Sequence, residues 1–182
     1  MPVYVTLLRG INVGPHKRIK MERLRGSFEA LGFEQVKTYI QSGNVVFKTA
    51  RVSPARLSKQ IEERILKDFG FSVSIVTRTA DELKKAIDDN PFLGEKGIEV
   101  EKLHVVFLSD VPAPAALEKL TELIAGPERF QCLGKEIFFH LPNGTAESVL
   151  MKHPIDRILQ VVPTTRNWRT VNQLAQMCEE CR

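Results

Sequence analysis

Arg9 and the residues behind it hold the densest chemistry in the chain. An arginine that closes an apolar run and opens the loop Arg9-Gly10-Ile11-Asn12-Val13-Gly14-Pro15 offers a planar fork, which grips a carboxylate or phosphate through two parallel donors. A loop that feeds a helix start is also where anions bind readily. His16, Lys17, Arg18 and Lys20 follow at once and extend the attraction to anions. Ser42-Gly43-Asn44 adds a hydroxyl and an amide at a turn, and Arg166-Asn167 adds a second guanidinium and amide just before a helix. Arg9, Asn12, Ser42, Asn44, Arg166 and Asn167 are therefore the candidate ligand-binding residues. The ligand they suit is a small anionic or phosphate-bearing molecule in a cleft between two lobes. Each residue also has an ordinary structural use. Arg9 can pair with an internal acid. Ser42-Gly43-Asn44 suits a tight turn, because glycine and asparagine tolerate positive φ. Arg166 and Asn167 can tie down a chain that Trp168 anchors.

Conventional catalytic sets are missing. The sequence has no Walker loop, paired-glycine dinucleotide fingerprint or HExxH. Ser42 has no histidine near it in sequence and does not sit in Gly-x-Ser-x-Gly, so it lacks a nucleophile's setting. His16, His104, His140 and His153 are scattered without metal spacing. Catalytic residues are thus unassigned, and no cofactor or metal is expected. Cys178-Glu179-Glu180-Cys181 has CxxC spacing without a second pair to complete a zinc site, and it reads as inert. An enzyme of unidentified reaction, with Ser42, Tyr39 or Arg166 at work in the same cleft, is one alternative to simple binding.

Composition sets the remaining bounds. Hydrophobic residues at 43% and charged residues at 26% are globular values. The net charge of +4 is too mild to diagnose nucleic-acid binding. The charge is uneven, however: residues 1–25 carry six lysines and arginines against Glu22 alone, while acids outnumber bases from 79 to 101. A nucleic-acid-binding module is the second alternative, and its stacking aromatics would be Tyr4 and Phe47 on the central strands. No apolar run approaches the ~18 residues of a membrane helix. Three cysteines make no disulfide framework and the start of the chain lacks the features of a secretory signal, so the cytoplasm is the expected compartment. The oligomeric state is not readable.

The elements that must position these residues follow from periodicity and punctuation. Val3 to Leu8 is a continuous apolar run that predicts a buried strand. Met21, Leu24, Phe28 and Leu31 have helical spacing, with Gly32 as a stop. Residues 36–41 and 44–49 predict a hairpin around Ser42-Gly43. Ser53-Pro54 caps a helix with the stripe Leu57, Ile61, Ile65 and Phe69, ended by Gly70. Residues 72–77 predict a fourth strand. That order is the split βαβ, or ferredoxin-like, unit, with an antiparallel sheet and both helices on one face. Thr79-Ala80-Asp81-Glu82 is a capping box. The pattern then recurs: a strand at 102–109, a helix through Leu117, Leu120 and Ile124, and a hairpin from 129–133 and 136–141. Residues 148–161 predict broken helix, 164–168 an extended connector, and Val171, Leu174, Ala175 and Cys178 the stripe of a last helix. Tyr4-Val5-Thr6-Leu7-Leu8 finds an echo in His104-Val105-Val106-Phe107-Leu108. Residues 42–47 find a looser one in 133–138. The expected fold class is α+β with duplicated ferredoxin-like lobes and a C-terminal helical segment. The lobes are expected to divide as 1–78 and 79–182.

Arg9-Gly10-Ile11-Asn12-Val13-Gly14, Lys20-Met21, residues 38–47, Asn90-Pro91-Phe92 and residues 165–171 together resemble the domain of unknown function 1697 family, whose proteins are bacterial. The resemblance implies two ferredoxin-like α+β lobes and implies no activity. One position departs from it. The family usually continues Gly14 with another glycine, and this chain has Pro15, which removes one backbone N–H from the loop.

Overall fold

The computed structural model describes residues Met1–Arg182. They form two compact units, Met1–Lys85 with Gln173–Arg182, and Ala86–Asn172. No helix is long and apolar enough to cross a membrane.

The first unit runs β1 (Val3–Leu8), α1 (Met21–Glu29), β2 (Glu34–Tyr39), β3 (Asn44–Lys48), α2 (Pro54–Phe69) and β4 (Ile75–Thr79). The strands lie in the order β2-β3-β1-β4, and every pairing is antiparallel. Helix α2 shows why the local sequence folds as it does. Ser53 Oγ accepts the Arg56 N–H, Pro54 fills the first turn, and Gly70 closes the helix at φ 78°, a conformation in which glycine carries no Cβ penalty. Leu57, Ile61 and Ile65 recur on one face and are fully buried. They pack with Leu24 and Phe28 of α1 against Tyr4, Leu8, Val45 and Phe47 of the sheet. Phe33 and Phe47 stack at 4.6 Å, and Phe28 meets Phe47 edge-on at 5.3 Å, geometries that add roughly 0.5–1.5 kcal/mol each beyond area burial. Ile11 and Ile19 enter the same core and so anchor both ends of the loop between them. α3 (Ala80–Asp88) follows β4 directly. It opens on the expected capping box, in which Glu82 N–H donates to Thr79 Oγ1 at 3.1 Å and Thr79 N–H to Glu82 Oε2 at 2.8 Å.

The second unit repeats the scheme after a short 3-10 turn at Val100–Lys102: β5 (Leu103–Leu108), α4 (Pro114–Glu122), β6 (Arg129–Leu133), β7 (Glu136–His140), α5 (Val149–Lys152), α6 (Ile155–Leu159) and β8 (Pro163–Asn167). The last helix, α7 (Trp168–Glu180), starts in this unit, and its residues from Gln173 on belong to the first. Its strand order, β6-β7-β5-β8, is that of the first sheet. The architecture is α+β, two four-stranded antiparallel sheets with helices and a C-terminal helix.

Two sequence expectations need correction. Residues 164–168 are no mere connector: Pro163–Asn167 is the edge strand β8, paired antiparallel with β5 from His104↔Asn167 to Leu108↔Pro163. It is short and polar, so it shows no alternating apolar face to mark it as a strand. The hairpin echo of 42–47 in 133–138 is also one residue out of register. Val5 pairs with Val46 and Val105 with Phe138, so Phe47 corresponds to Phe139. A one-residue slip exchanges the two faces of a strand. The cores agree with the corrected register, since Phe47 and Phe139 each join the helix-side cluster of their own unit.

Candidate functional site

Four of the six candidate residues meet at one end of the first sheet. β1 ends at Leu8, whose N–H donates to Gly43 O at 2.8 Å, and Arg9 N–H donates to Ser74 O at 3.0 Å. Asn12 organises the loop that follows. Its Oδ1 accepts the Ile19 N–H at 2.9 Å, while Nδ2 donates to Ile19 O at 2.9 Å and to Gln41 O at 2.8 Å. Asn12 sits at φ 56°, where asparagine is better tolerated than most residues. Asn44 does parallel work in the hairpin turn, with Nδ2 donating to Tyr39 O at 2.9 Å and to Ser42 Oγ at 3.0 Å. Both asparagine side chains are thus committed to holding the loop and the turn in shape. Gly43 is demanded by close approach as well as by its φ of 82°: an added Cβ would lie 2.7 Å from Leu8 Cβ and 2.8 Å from Ile11 Cδ1.

This scaffold displays a set of cations. Lys17 Nζ donates to Ser72 O at 2.9 Å and staples the loop tip. Arg23 lies over the Phe69 ring at 4.8 Å, and Arg25 donates to Thr38 Oγ1 at 3.0 Å. His16, Arg18 and Lys20 are exposed, and neither Arg18 nor Lys20 has an acidic partner. Lys20 is the residue before α1 and makes no side-chain cap there. Such an array attracts an anion and can hold it by charge-assisted hydrogen bonds.

Arg166 and Asn167 lie in the second unit, on β8. Arg166 is buried, donates from Nη1 to Thr165 O at 2.8 Å, and has its pKa pushed down to about 10 by desolvation, so it remains charged at neutral pH. Asn167 Oδ1 accepts the Thr170 N–H at 2.8 Å and caps α7. Arg166 has a counterpart in the first unit. Arg78, also buried, faces Val5 as Arg166 faces Val105, and its Nη1 donates to Thr77 O at 3.1 Å. Arg78 lies one residue past the strand that the sequence predicts at 72–77, because β4 runs Ile75–Thr79.

Glu62 escapes the sequence reading, being one acid among several on α2. Its carboxylate accepts the Ile75 N–H at 2.9 Å at the first residue of β4, and burial raises its pKa above the usual carboxylate value. Tyr4 and Phe47, the aromatics that a nucleic-acid platform would use, are stacked 5.9 Å apart inside the core at 1% and 0% exposure. They cannot stack on bases. The Cys178 thiol is buried and pushed up to about 12, chiefly by desolvation, which makes it a poor nucleophile.

The profile of a protein family of unknown function, DUF1697, matches residues 1–138. The chain belongs to the DUF1697 family. A solved structure of a conserved bacterial protein from Streptococcus pneumoniae is similar over 97% of this chain and 98% of that one, with a TM-score of 0.78 and 24% identity. That likeness concerns the fold alone. No curated protein sequence matches the chain. In this DUF1697 protein the matched residues include the whole basic loop and the hairpin turn, while Arg166 and Asn167 lie beyond them.

Proposed function

We propose that the protein binds a small anionic, phosphate-bearing ligand in the cytoplasm, through the basic loop at residues 9–20 and the adjoining turn of the first unit. One observation carries this reading: Asn12 spends its whole amide on ordering a loop whose exposed cations, Arg18 and Lys20, have no acid to neutralise them. Arg9 at the strand end and the Ser42 hydroxyl at the turn supply further groups of the right chemistry. Three unpaired cysteines suit a reducing compartment. A small ligand is favoured over nucleic acid because the aromatic side chains of the central strands are in the core.

Thermal unfolding with pyrophosphate, nucleotides and sugar phosphates tests the proposal. A ligand at a hundred times its Kd stabilises by about 2.7 kcal/mol. The stabilisation should disappear in the Arg18→Glu, Lys20→Glu double variant. No stabilisation of the wild type at millimolar ligand contradicts the proposal.

A further inference from the structure

We infer that the first unit carries a second binding site, for a small organic carboxylate with an apolar body, in the cavity at the end of β1 opposite the basic loop. The cavity has a volume of about 580 Å³, within the range of roughly 300–1,000 Å³ of small-molecule pockets. Pro2, Val3, Pro54 and Ala80 give it an apolar lining. Its wall is fixed by Tyr4, whose hydroxyl donates to Val52 O at 2.8 Å and accepts the Val52 N–H at 3.1 Å.

The polar groups around the cavity are nearly all spoken for. Ser53 Oγ caps α2, and Thr79 Oγ1 caps α3. Asp81 Oδ1 accepts from Arg182 Nη2 at 2.7 Å, and Arg182 Nε also reaches Glu179 at 3.4 Å. Arg51 remains: it lines the cavity, is exposed, and pairs with no acid. An anion complements this arginine, and the lining suits a hydrocarbon body attached to it.

The second unit holds a carboxylate of its own at the corresponding helix start. There the helix after the second hairpin strand, α5, begins on the buried carboxylate of Glu128. Oε1 accepts the Val149 N–H at 2.9 Å, and Oε2 accepts the Leu150 N–H and the Ser148 hydroxyl, each at 3.2 Å. Glu128 immediately precedes β6; the residue that immediately precedes β2 is Phe33, which is buried in the aromatic core. At the corresponding helix start of the first unit Pro54 has no N–H to donate, so Arg51 is the group left to receive a ligand's carboxylate.

The test is a titration of the full chain with benzoate, followed through backbone amide shifts. Saturable shifts at residues 51–53 and 79–81 are expected at about 10 mM ligand or below, the range of millimolar affinities. Arg51→Gln should weaken benzoate about tenfold by removing a charge-assisted contact, benzamide should not bind, and Arg18→Gln should bind benzoate like the wild type. Absence of saturable shifts, or wild-type affinity in Arg51→Gln, overturns the inference. So does loss of benzoate in Arg18→Gln, which would put the probe on the basic loop. Because Arg18 and Arg51 are separate variants, this site and the phosphate site fail independently.

Discussion

The two units share one strand order and the same register around the central strands β1 and β5; apart from a bulge in β2 that β6 lacks, they part company where β1 and β5 end. The frame up to that point is the same. Leu8 N–H donates to Gly43 O and Leu108 N–H to Lys135 O, both at 2.8 Å; Arg9 N–H meets Ser74 O at 3.0 Å and Ser109 N–H meets Val162 O at 2.9 Å. Beyond it, the first unit inserts residues 9–20, rich in glycine and basic side chains, before α1. The second crosses to α4 through residues 109–113, where Asp110 pairs with Lys135 at 3.9 Å and prolines flank Ala113. The hairpin turns differ in the same sense: residues 40–43 in the first unit, and Gly134-Lys135 alone in the second. A shared frame fixes where a loop starts and stops, so binding chemistry can be added by lengthening the loop. On this account the first unit is the binding unit and the second keeps the plain form of the repeat.

The comparison is most exposed at Gly43. Gly43→Ala places a methyl group inside contact distance of Leu8 and Ile11 at a left-handed φ, and should lower stability by about 2–3 kcal/mol. Gly134→Ala, at φ 63° with open space around it, should cost about 1 kcal/mol. Urea denaturation of the pair measures the difference. Equal losses would mean that the turn and the basic loop of the first unit are not packed as described.

The helix starts sharpen the contrast from the other side. Glu128→Ala leaves two backbone N–H groups and a serine hydroxyl without their acceptor at α5, and should cost about 2 kcal/mol. Ser53→Ala at the longer helix α2 should cost about 1 kcal/mol. Denaturant midpoints rank the two, and the reverse order would break the argument that the second unit relies on its internal carboxylate.

The smallest effect expected is the pH dependence contributed by two histidines of the second unit. Burial lowers the pKa of His104 and His140 below the usual 6.5, with Arg129 adding to the shift at His140. The unfolded chain therefore takes up these protons first as pH falls. Stability from this source is level above about pH 6.5, declines between the unfolded and the folded pKa, and levels again below the latter. Denaturant midpoints at about pH 7.5 and 5.5 should differ less in a His104→Gln, His140→Gln variant than in the wild type. An unchanged difference would assign the slope to other groups.

Much of this was legible in the sequence, for physical reasons that also mark where reading stopped. Helix α2 announced itself because Ser53, Pro54, the spacing of Leu57, Ile61 and Ile65, and Gly70 all point the same way. β8 did not, because Pro-Thr-Thr-Arg-Asn at a sheet edge has no apolar alternation and its partners lie far off in sequence. The basic loop was readable as a loop with cations. That Asn12 would bond to Ile19 and Gln41 was not, since those partners are set by backbone conformation and by the packing of Ile11 and Ile19. A turn role for Asn44 and a helix-cap role for Asn167 are legible from residue type beside a glycine and just before a helix; the atoms they bond, Tyr39 O and the Thr170 N–H, are fixed by the fold.

Titration of the full chain with inorganic pyrophosphate, followed residue by residue through backbone amide shifts, tests the central claim most directly. The account predicts saturable, salt-sensitive shifts at residues 9–20 and 40–44, with residues 109–113 and 134–135 unmoved. Equal responses at the two loop ends, or no response at residues 9–20, would contradict it.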